Sequence, residues 1–263
     1  MPSNYPAELV SIEGPDAIAF AQAQFSSHLG ALADGQWQFS AWLDAQGRVK
    51  FLFHLMRLDG QRLRLLLRGG QAQALAGQLR QYLFRAKASI TPHPARALGS
   101  AGPMPLHTLE VRGDALVIGC GPYSLTVDAA GDGPWRLQQV RAGWPWLPAS
   151  LSGELLPASL NLGALGATAL DKGCYPGQEM VARLHYRGGN KRHLRQVRLS
   201  RTVPPGSVLD AQDRPSIQLL DVVPVDAAAE ALAVVHEDLQ PSLASGIEAM
   251  HGGQVVSVQG IER

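Results

Sequence analysis

The fold is decided by the stretch WQFSAWLDAQGRVKFLFHLMRLDGQRLRLLL, which covers residues 37–67. Apolar residues alternate along its first segment, with Trp37 and Phe39 on one face, as in a strand that buries one side. Turn residues at 44–47 and at 59–60 separate this segment from two further apolar strands. Three strands joined by tight turns predict an antiparallel sheet rather than parallel βαβ units.

Helical patterns lie on both sides of these strands. Apolar residues at helical spacing predict one helix between Asp16 and Gly30 and another from Leu75 to Leu83. A further strand is predicted over 86–90, which completes a β-β-β-α-β order. This order is typical of an α+β fold.

The remainder of the chain divides into segments of different character. The proline-rich residues 92–106 are predicted to be a linker, and the poorly periodic residues 143–176 are expected either to line a site or to form a mobile loop. Short strands are predicted near 107–112, 115–119, 123–127, 135–141, 194–199, 217–223, 231–236 and 254–258. The last four of these strands indicate a small all-β module at the C-terminal end.

Composition limits the class of protein. Among 263 residues, 23 Lys and Arg stand against 22 Asp and Glu, a formal net charge of +1. This balance argues against binding nucleic acid over the whole surface but allows a local basic patch. No apolar run approaches the roughly 18 to 20 residues of a spanning helix, and the start lacks the features of a signal peptide. We therefore expect a soluble, cytoplasmic protein.

The stretch KGCYPGQEMVAR, residues 172–183, is the most informative for chemistry. Pro176 and Gly177 can start a helix, which places Cys174 just before its N-terminus and two residues from Lys172. Helix-start amides and a nearby ammonium lower a cysteine pKa from about 8.5 to roughly 3.5–7.5. A reactive thiol is one interpretation, and a small buried apolar residue is the other.

A cluster of basic residues follows, interrupted by residues 188–190. It could hold an anion such as a polyglutamate tail, a phosphate or RNA, or it could be a solvated helix end. Its members are Arg183, His185, Arg187, Lys191, Arg192, His193 and Arg195.

Tryptophans 135, 144 and 146 could stack on a flat heterocycle or pack in the core. No phosphate-binding loop, dinucleotide fingerprint, nucleophile elbow or zinc-protease motif is present. The two cysteines and the scattered histidines do not predict a metal site.

The stretch 172–183 resembles the K-G-C-[FY]-x-G-Q-E-x-x-x-R signature of the YgfZ family. These are folate-binding proteins related to the T-protein, the aminomethyltransferase of the glycine cleavage system. The segments 155–162 and 187–192 also resemble the residues that flank this signature, and 46–49 resembles the first hairpin turn. The likeness covers nearly the whole chain and weakens after about residue 200.

The resemblance implies an α+β ring of ferredoxin-like α/β subdomains around a folate pocket, with a small C-terminal β-barrel. Residues 1–193 would form the folate-binding region as two subdomains with a break near 92–106. Residues 194–263 would form the barrel. A monomer is expected.

The resemblance also implies a function, the support of assembly or repair of iron–sulfur cluster enzymes and of tRNA modification. Cys174 would be the reactive thiol, with Lys172 and Tyr175 as its signature neighbours. Tetrahydrofolate is the implied ligand, and its implied binding residues are Trp135, Gln178, Glu179, Arg183 and Asn161. Iron–sulfur client proteins and tRNA-modifying enzymes are the expected partners, with no membrane contact and no direct DNA binding.

Two departures from the family relatives affect these expectations. T-protein relatives carry an acidic residue after the first hairpin turn, whereas residues 50–53 here contain no carboxylate. Aminomethyl transfer needs an acidic group that transfers a proton, and these residues do not supply one. No glycine-cleavage activity is therefore expected. Arg141 also stands where relatives often carry a glutamate that could bind the pterin ring, and a guanidinium only donates hydrogen bonds.

Two alternative functions stay open at this point. One is a tetrahydrofolate-dependent aminomethyl or one-carbon transferase, which the missing carboxylate disfavours. The other is a non-enzymatic RNA- or protein-binding module that uses Arg187, Lys191 and Arg192.

Overall fold

The computed structural model describes residues 6–113, 115–127, 135–211 and 214–261. Within these ranges the chain forms two five-stranded antiparallel sheets and a closed six-stranded barrel. The strands are β1 (Pro6–Ala7), β2 (Leu9–Glu13), β3 (Gln36–Leu43), β4 (Val49–Asp59), β5 (Arg62–Leu67), β6 (Ser89–Pro92), β7 (Arg96–Ala101), β8 (Leu109–Arg112), β9 (Ala115–Gly119), β10 (Ser124–Val127), β11 (Arg192–Leu199), β12 (Val208–Ala211), β13 (Arg214–Val225), β14 (Ala228–His236), β15 (Ile247–His251) and β16 (Gln254–Gly260). The helices are α1 (Ala17–Gln24), α2 (Ala72–Arg80), α3 (Trp135–Ala142) and α4 (Gln178–Arg187).

The first sheet has the strand order β3-β4-β5-β2-β6 and is buried on both faces. Trp42 and Phe53 pack with helices α1 and α2, whereas Trp37 and Phe39 face a central core. The alternation predicted for Trp37 and Phe39 is therefore confirmed. Burial on both faces also explains why β4 is apolar at nearly every position.

The central core joins the parts of the molecule. It contains side chains of the first sheet, of the second sheet (β1-β7-β10-β9-β8) and of the barrel, including Leu220 and Leu232. Helix α3 is also tied to the barrel, since Arg136 forms an ion pair with Asp221 at 2.5 Å. The segment between α3 and α4 therefore lies where all three β-structures meet.

Several predicted elements need correction. Residues 135–141 form a helix rather than a strand, because their buried members, Trp135, Gln139 and Val140, lie on one face at helical spacing. The predicted linker contains strand β7, which pairs with β1 and β10, and the prolines lie outside that strand. Helix α1 ends at Gln24 because Phe25 is extended.

The barrel contains β12 and β15 in addition to the predicted strands. Both are short, four and five residues, and carry weak apolar alternation. Among the described residues, no helix has the length and apolar character that crossing a membrane requires.

Candidate functional site

Two anchored side chains hold the segment around Cys174. The Lys172 ammonium donates hydrogen bonds to the carbonyl oxygens of Phe25, at 2.5 Å, and Ser27, at 2.9 Å. The Tyr175 ring is 6% exposed, and its hydroxyl donates to the Ala169 carbonyl at 2.9 Å. The segment is therefore fixed on both sides of the cysteine.

Cys174 itself is exposed, and within the described ranges its thiol forms no hydrogen bond. It lies four residues before α4, as the helix prediction required. Gly177, with a φ of +77°, starts this helix. A Cβ at Gly177 would lie 2.6 Å from the Cα of Gly47, so the first hairpin turn packs directly against the helix start.

Lys172 is half-buried and hydrogen-bonded to the backbone. Burial lowers the pKa of Lys172 to about 8, and its hydrogen bonds go to backbone carbonyls rather than to the thiol. These bonds anchor the loop, and the catalytic role expected of Lys172 stays a prediction. The other cysteine, Cys120, is buried, and burial raises the pKa of its thiol to about 11.

Two of the residues expected to bind folate line one groove beside α4. Glu179 and Arg183 share a groove of about 450 Å³ with Gln46, Tyr186 and Arg187. Glu179 and Arg183 lie one turn apart on the same helix face, so opposite charges line its floor.

The other three expected folate residues lie apart from this groove. The Gln178 amide donates to the Lys172 carbonyl at 3.4 Å, and exposed Asn161 ends a 3₁₀ turn with a φ of +56°. Trp135 is 4% exposed and packs against Trp146, with the ring centroids 6.0 Å apart. The structure thus gathers Lys172, Tyr175 and Gln178 near Cys174, whereas Trp135 lies in the central core and Asn161 lies exposed at the end of a turn.

The folate site that the resemblance implies stays a prediction. The groove beside α4 is lined by two of the five residues, and Trp135 packs in the central core. Arg141 forms an ion pair with Glu230 of the barrel at 2.5 Å instead of facing the core.

A buried polar cluster that the sequence analysis missed lies in the central core. Arg68 is fully buried and donates to the carbonyl oxygens of Trp144 and Pro145, both at 2.8 Å. It also donates to the Gln139 side-chain oxygen at 2.8 Å and contacts the His54 ring at 3.3 Å. This cluster ties β4 and β5 to α3 and to the segment that follows α3.

Two sequence signals could have located this cluster. His54 is a polar residue within the apolar run of β4, and Arg68 directly follows an apolar strand. Burial and the neighbouring Arg68 hold the pKa of His54 well below 6.5, so its neutral ring can accept from the guanidinium. In the part of the chain that the structure describes, no three His, Cys, Asp or Glu residues gather in a way that could hold a metal ion.

Comparisons with known proteins identify relatives of the chain. No family model matches it. It is 31% identical to the tRNA-modifying protein YgfZ of Edwardsiella ictaluri, over 70% of this chain and 66% of the relative. It is 28% identical to the protein of that name from Escherichia coli O157:H7, over 71% of this chain and 68% of the relative. An uncharacterized protein of Haemophilus influenzae is 29% identical over 71% of this chain and 69% of its own length.

The fold has a relative among solved structures. The glycine cleavage system aminomethyltransferase T of Bartonella henselae superimposes with a TM-score of 0.65, at 15% identity. The match covers 97% of this chain and 82% of that protein. The expected α+β architecture with a C-terminal β-barrel is therefore confirmed. Together, these relatives show that the chain belongs to the YgfZ family, and its fold is that of the aminomethyltransferase T structure.

Proposed function

We propose that the chain supports tRNA modification and the assembly or repair of iron–sulfur cluster enzymes, with Cys174 as its reactive thiol. The observation that carries this proposal is an exposed thiol on a fixed segment. Lys172 and Tyr175 fix the backbone on either side of the cysteine, which keeps the thiol exposed to solvent. The link to tRNA modification comes from the relatives, which are named tRNA-modifying proteins.

The geometry favours transient chemistry with a partner protein over a resident cluster. Clusters are held by several ligands, and a single cysteine cannot hold one alone. Cys120 cannot join it, since it is buried in the central core while Cys174 is exposed. A client protein would therefore supply the remaining ligands or the electrophile that meets Cys174.

Tetrahydrofolate enters this proposal only as an implied ligand. The support is the family and its fold, and the residues assigned to it lie apart. Titration of tryptophan emission with tetrahydrofolate tests it directly. Saturable quenching supports folate binding, and unchanged emission up to millimolar ligand overturns it.

Gene deletion and rescue tests the role of the thiol. The host gene is deleted and replaced by wild type, Cys174→Ala or the matched control Cys120→Ala, with protein levels equalised by immunoblot. A cluster-dependent enzyme is assayed, and tRNA nucleosides are quantified by mass spectrometry. We expect wild type and Cys120→Ala to restore both readouts and Cys174→Ala to restore neither. Full rescue by Cys174→Ala contradicts the proposal.

A further inference from the structure

We propose that the C-terminal half of α4 and the start of β11 form an RNA-binding surface. Tyr186 would stack on an unpaired base, and Arg187, Lys191 and Arg192 would contact phosphates. These four residues are called the basic surface below. The inference extends the proposed function, on which it rests for the choice of tRNA as a partner.

The exposure of Tyr186 is the first observation. Helix α4 has no buried residue, and Tyr186 is 75% exposed. Among the described ring contacts, the Tyr186 ring has one, a perpendicular contact with the adjacent His185 ring at a centroid distance of 4.9 Å. Single-stranded RNA stacks its bases on exposed aromatic rings and contacts neighbouring cations through its phosphates.

The charges around this ring are the second observation. Within the described ranges, the guanidinium groups of Arg187 and Arg192 form no ion pair. Lys191 has one exposed partner, Glu237, at 3.9 Å, a contact that water and salt weaken. All three cations are exposed and can meet phosphates.

A purely structural role explains only part of this arrangement. Cations in the last turn of a helix stabilise its dipole, which accounts for Arg187. The dipole effect fades within one turn, so it does not account for Lys191 or Arg192. Nor does it account for the exposed ring of Tyr186.

Grooves on both sides of α4 provide the space. Tyr186 lines the groove of about 450 Å³ with Arg183 and Arg187. It also lines a groove of about 600 Å³ on the other side, with Leu170 and Leu184. Each volume is of the size that proteins use for small flat ligands, so a splayed nucleotide fits beside the ring.

The chemistry of the surface favours RNA over an acidic peptide. An acidic peptide would use the cations but would leave the open face of Tyr186 without a partner. Cys174 lies beyond the opposite end of α4, a helix of ten residues and about 15 Å in length. RNA bound on the basic surface would therefore lie one helix length from the exposed thiol.

Binding of an unmodified tRNA transcript to the full chain, followed by fluorescence anisotropy, tests the surface. The test variant is Arg187→Gln/Lys191→Gln/Arg192→Gln, and the matched control is Arg62→Gln/Arg85→Gln/Arg112→Gln. Both remove three positive charges from exposed positions. At about 0.1 M salt we expect the test variant to raise Kd tenfold or more and to reduce the salt slope by about 2. Equal effects of both variants overturn the proposal.

Tyr186 separates base stacking from simple charge attraction. We expect Tyr186→Ala to raise Kd about fivefold or more, and Tyr186→Phe to bind like wild type because its ring is kept. Competition by polyglutamate that matches competition by RNA, together with no effect of Tyr186→Ala, overturns RNA as the occupant. Circular dichroism of each variant confirms that it is folded.

The rescue assay distinguishes this inference from the proposed function. Wild-type protein that does not bind the tRNA transcript, while rescue still requires Cys174, overturns the RNA surface alone. RNA binding through the basic surface, with full rescue by Cys174→Ala, overturns the thiol role alone.

Discussion

The Lys172 ammonium lies 4.9 Å from the centroid of the Tyr175 ring, and the backbone between them presents Cys174 to solvent. A cation over an aromatic face is stabilised by about 0.5–2 kcal/mol, and the larger values apply where water is excluded. Because both residues also bond to backbone carbonyls, the cysteine is held by its neighbours rather than by contacts of its own.

Removal of the Lys172 anchor should destabilise the fold. Lys172→Met leaves the carbonyls of Phe25 and Ser27 without their donor, which we expect to lower the free energy of unfolding by about 1–3 kcal/mol. Urea denaturation measures this change. Lys191→Met, at an exposed site, is the control and should stay within about 0.5 kcal/mol of wild type.

The same lysine predicts a dependence on alkaline pH. Its pKa is about 8 in the folded chain against an ordinary value of 10.5, so the unfolded chain binds more protons between these values. The stability of wild type relative to Lys172→Met should therefore rise as the pH increases from about 8 to about 10.5. A difference that stays flat or falls across this window contradicts the lowered pKa.

Alkylation should distinguish the two cysteines. A thiol with a pKa of about 11 is about 0.1% ionised at pH 8, and Cys120 is also buried. We expect iodoacetamide to modify Cys174 at least a hundredfold faster than Cys120 in the native chain, as read by peptide mass spectrometry. Denaturation in urea should equalise the two rates. Comparable native rates contradict the burial of Cys120.

The contacts between α3 and the barrel should differ in their contribution to stability. Asp221 is fully buried and paired with Arg136, so Asp221→Ala leaves a buried charge and should cost about 3–5 kcal/mol. The Arg136→Met/Asp221→Leu double variant should cost less than Asp221→Ala alone. Arg141→Ala, which breaks the more exposed pair with Glu230, is the matched control and should cost about 1 kcal/mol or less.

Acid should weaken the fold through His54. Its pKa is held well below 6.5 in the folded chain, so below pH 6.5 the unfolded chain binds a proton that the folded chain does not. The stability that His54 contributes is present above pH 6.5 and should fall by up to about 1.4 kcal/mol per pH unit below it. His54→Gln keeps an acceptor for Arg68, and its unfolding free energy should fall less steeply. Equal slopes in urea titrations contradict this role.

Purified protein should lack aminomethyl transfer. Residues 50–53 carry no carboxylate, Phe51 and Phe53 are buried with the helices, and the Lys50 amine bonds to Gln78. With tetrahydrofolate and the aminomethylated carrier of the glycine cleavage system, we expect no ammonia release above background. T-protein assayed in parallel is the positive control. Turnover would revive the one-carbon transferase alternative.

The sequence determined the local structure where the pattern is local. Alternation at Trp37 and Phe39 and the turns that follow predicted β3 to β5 correctly. Pro176 and Gly177 predicted the start of α4, and the signature around Cys174 indicated the family. Each of these signals depends on neighbours within a few residues, which the sequence contains in full.

Only the tertiary structure decided what depends on distant partners. Lys172 reaches carbonyls about 145 residues earlier in the chain, and Arg68 meets Gln139 across 71 residues. Strand β7 lies in a segment whose sequence predicts a linker. Its extended form depends on pairing with β1 and β10, which the local sequence does not reveal. The residue types limit which interactions are possible, and the packing of segments that are distant in sequence determines which of them form.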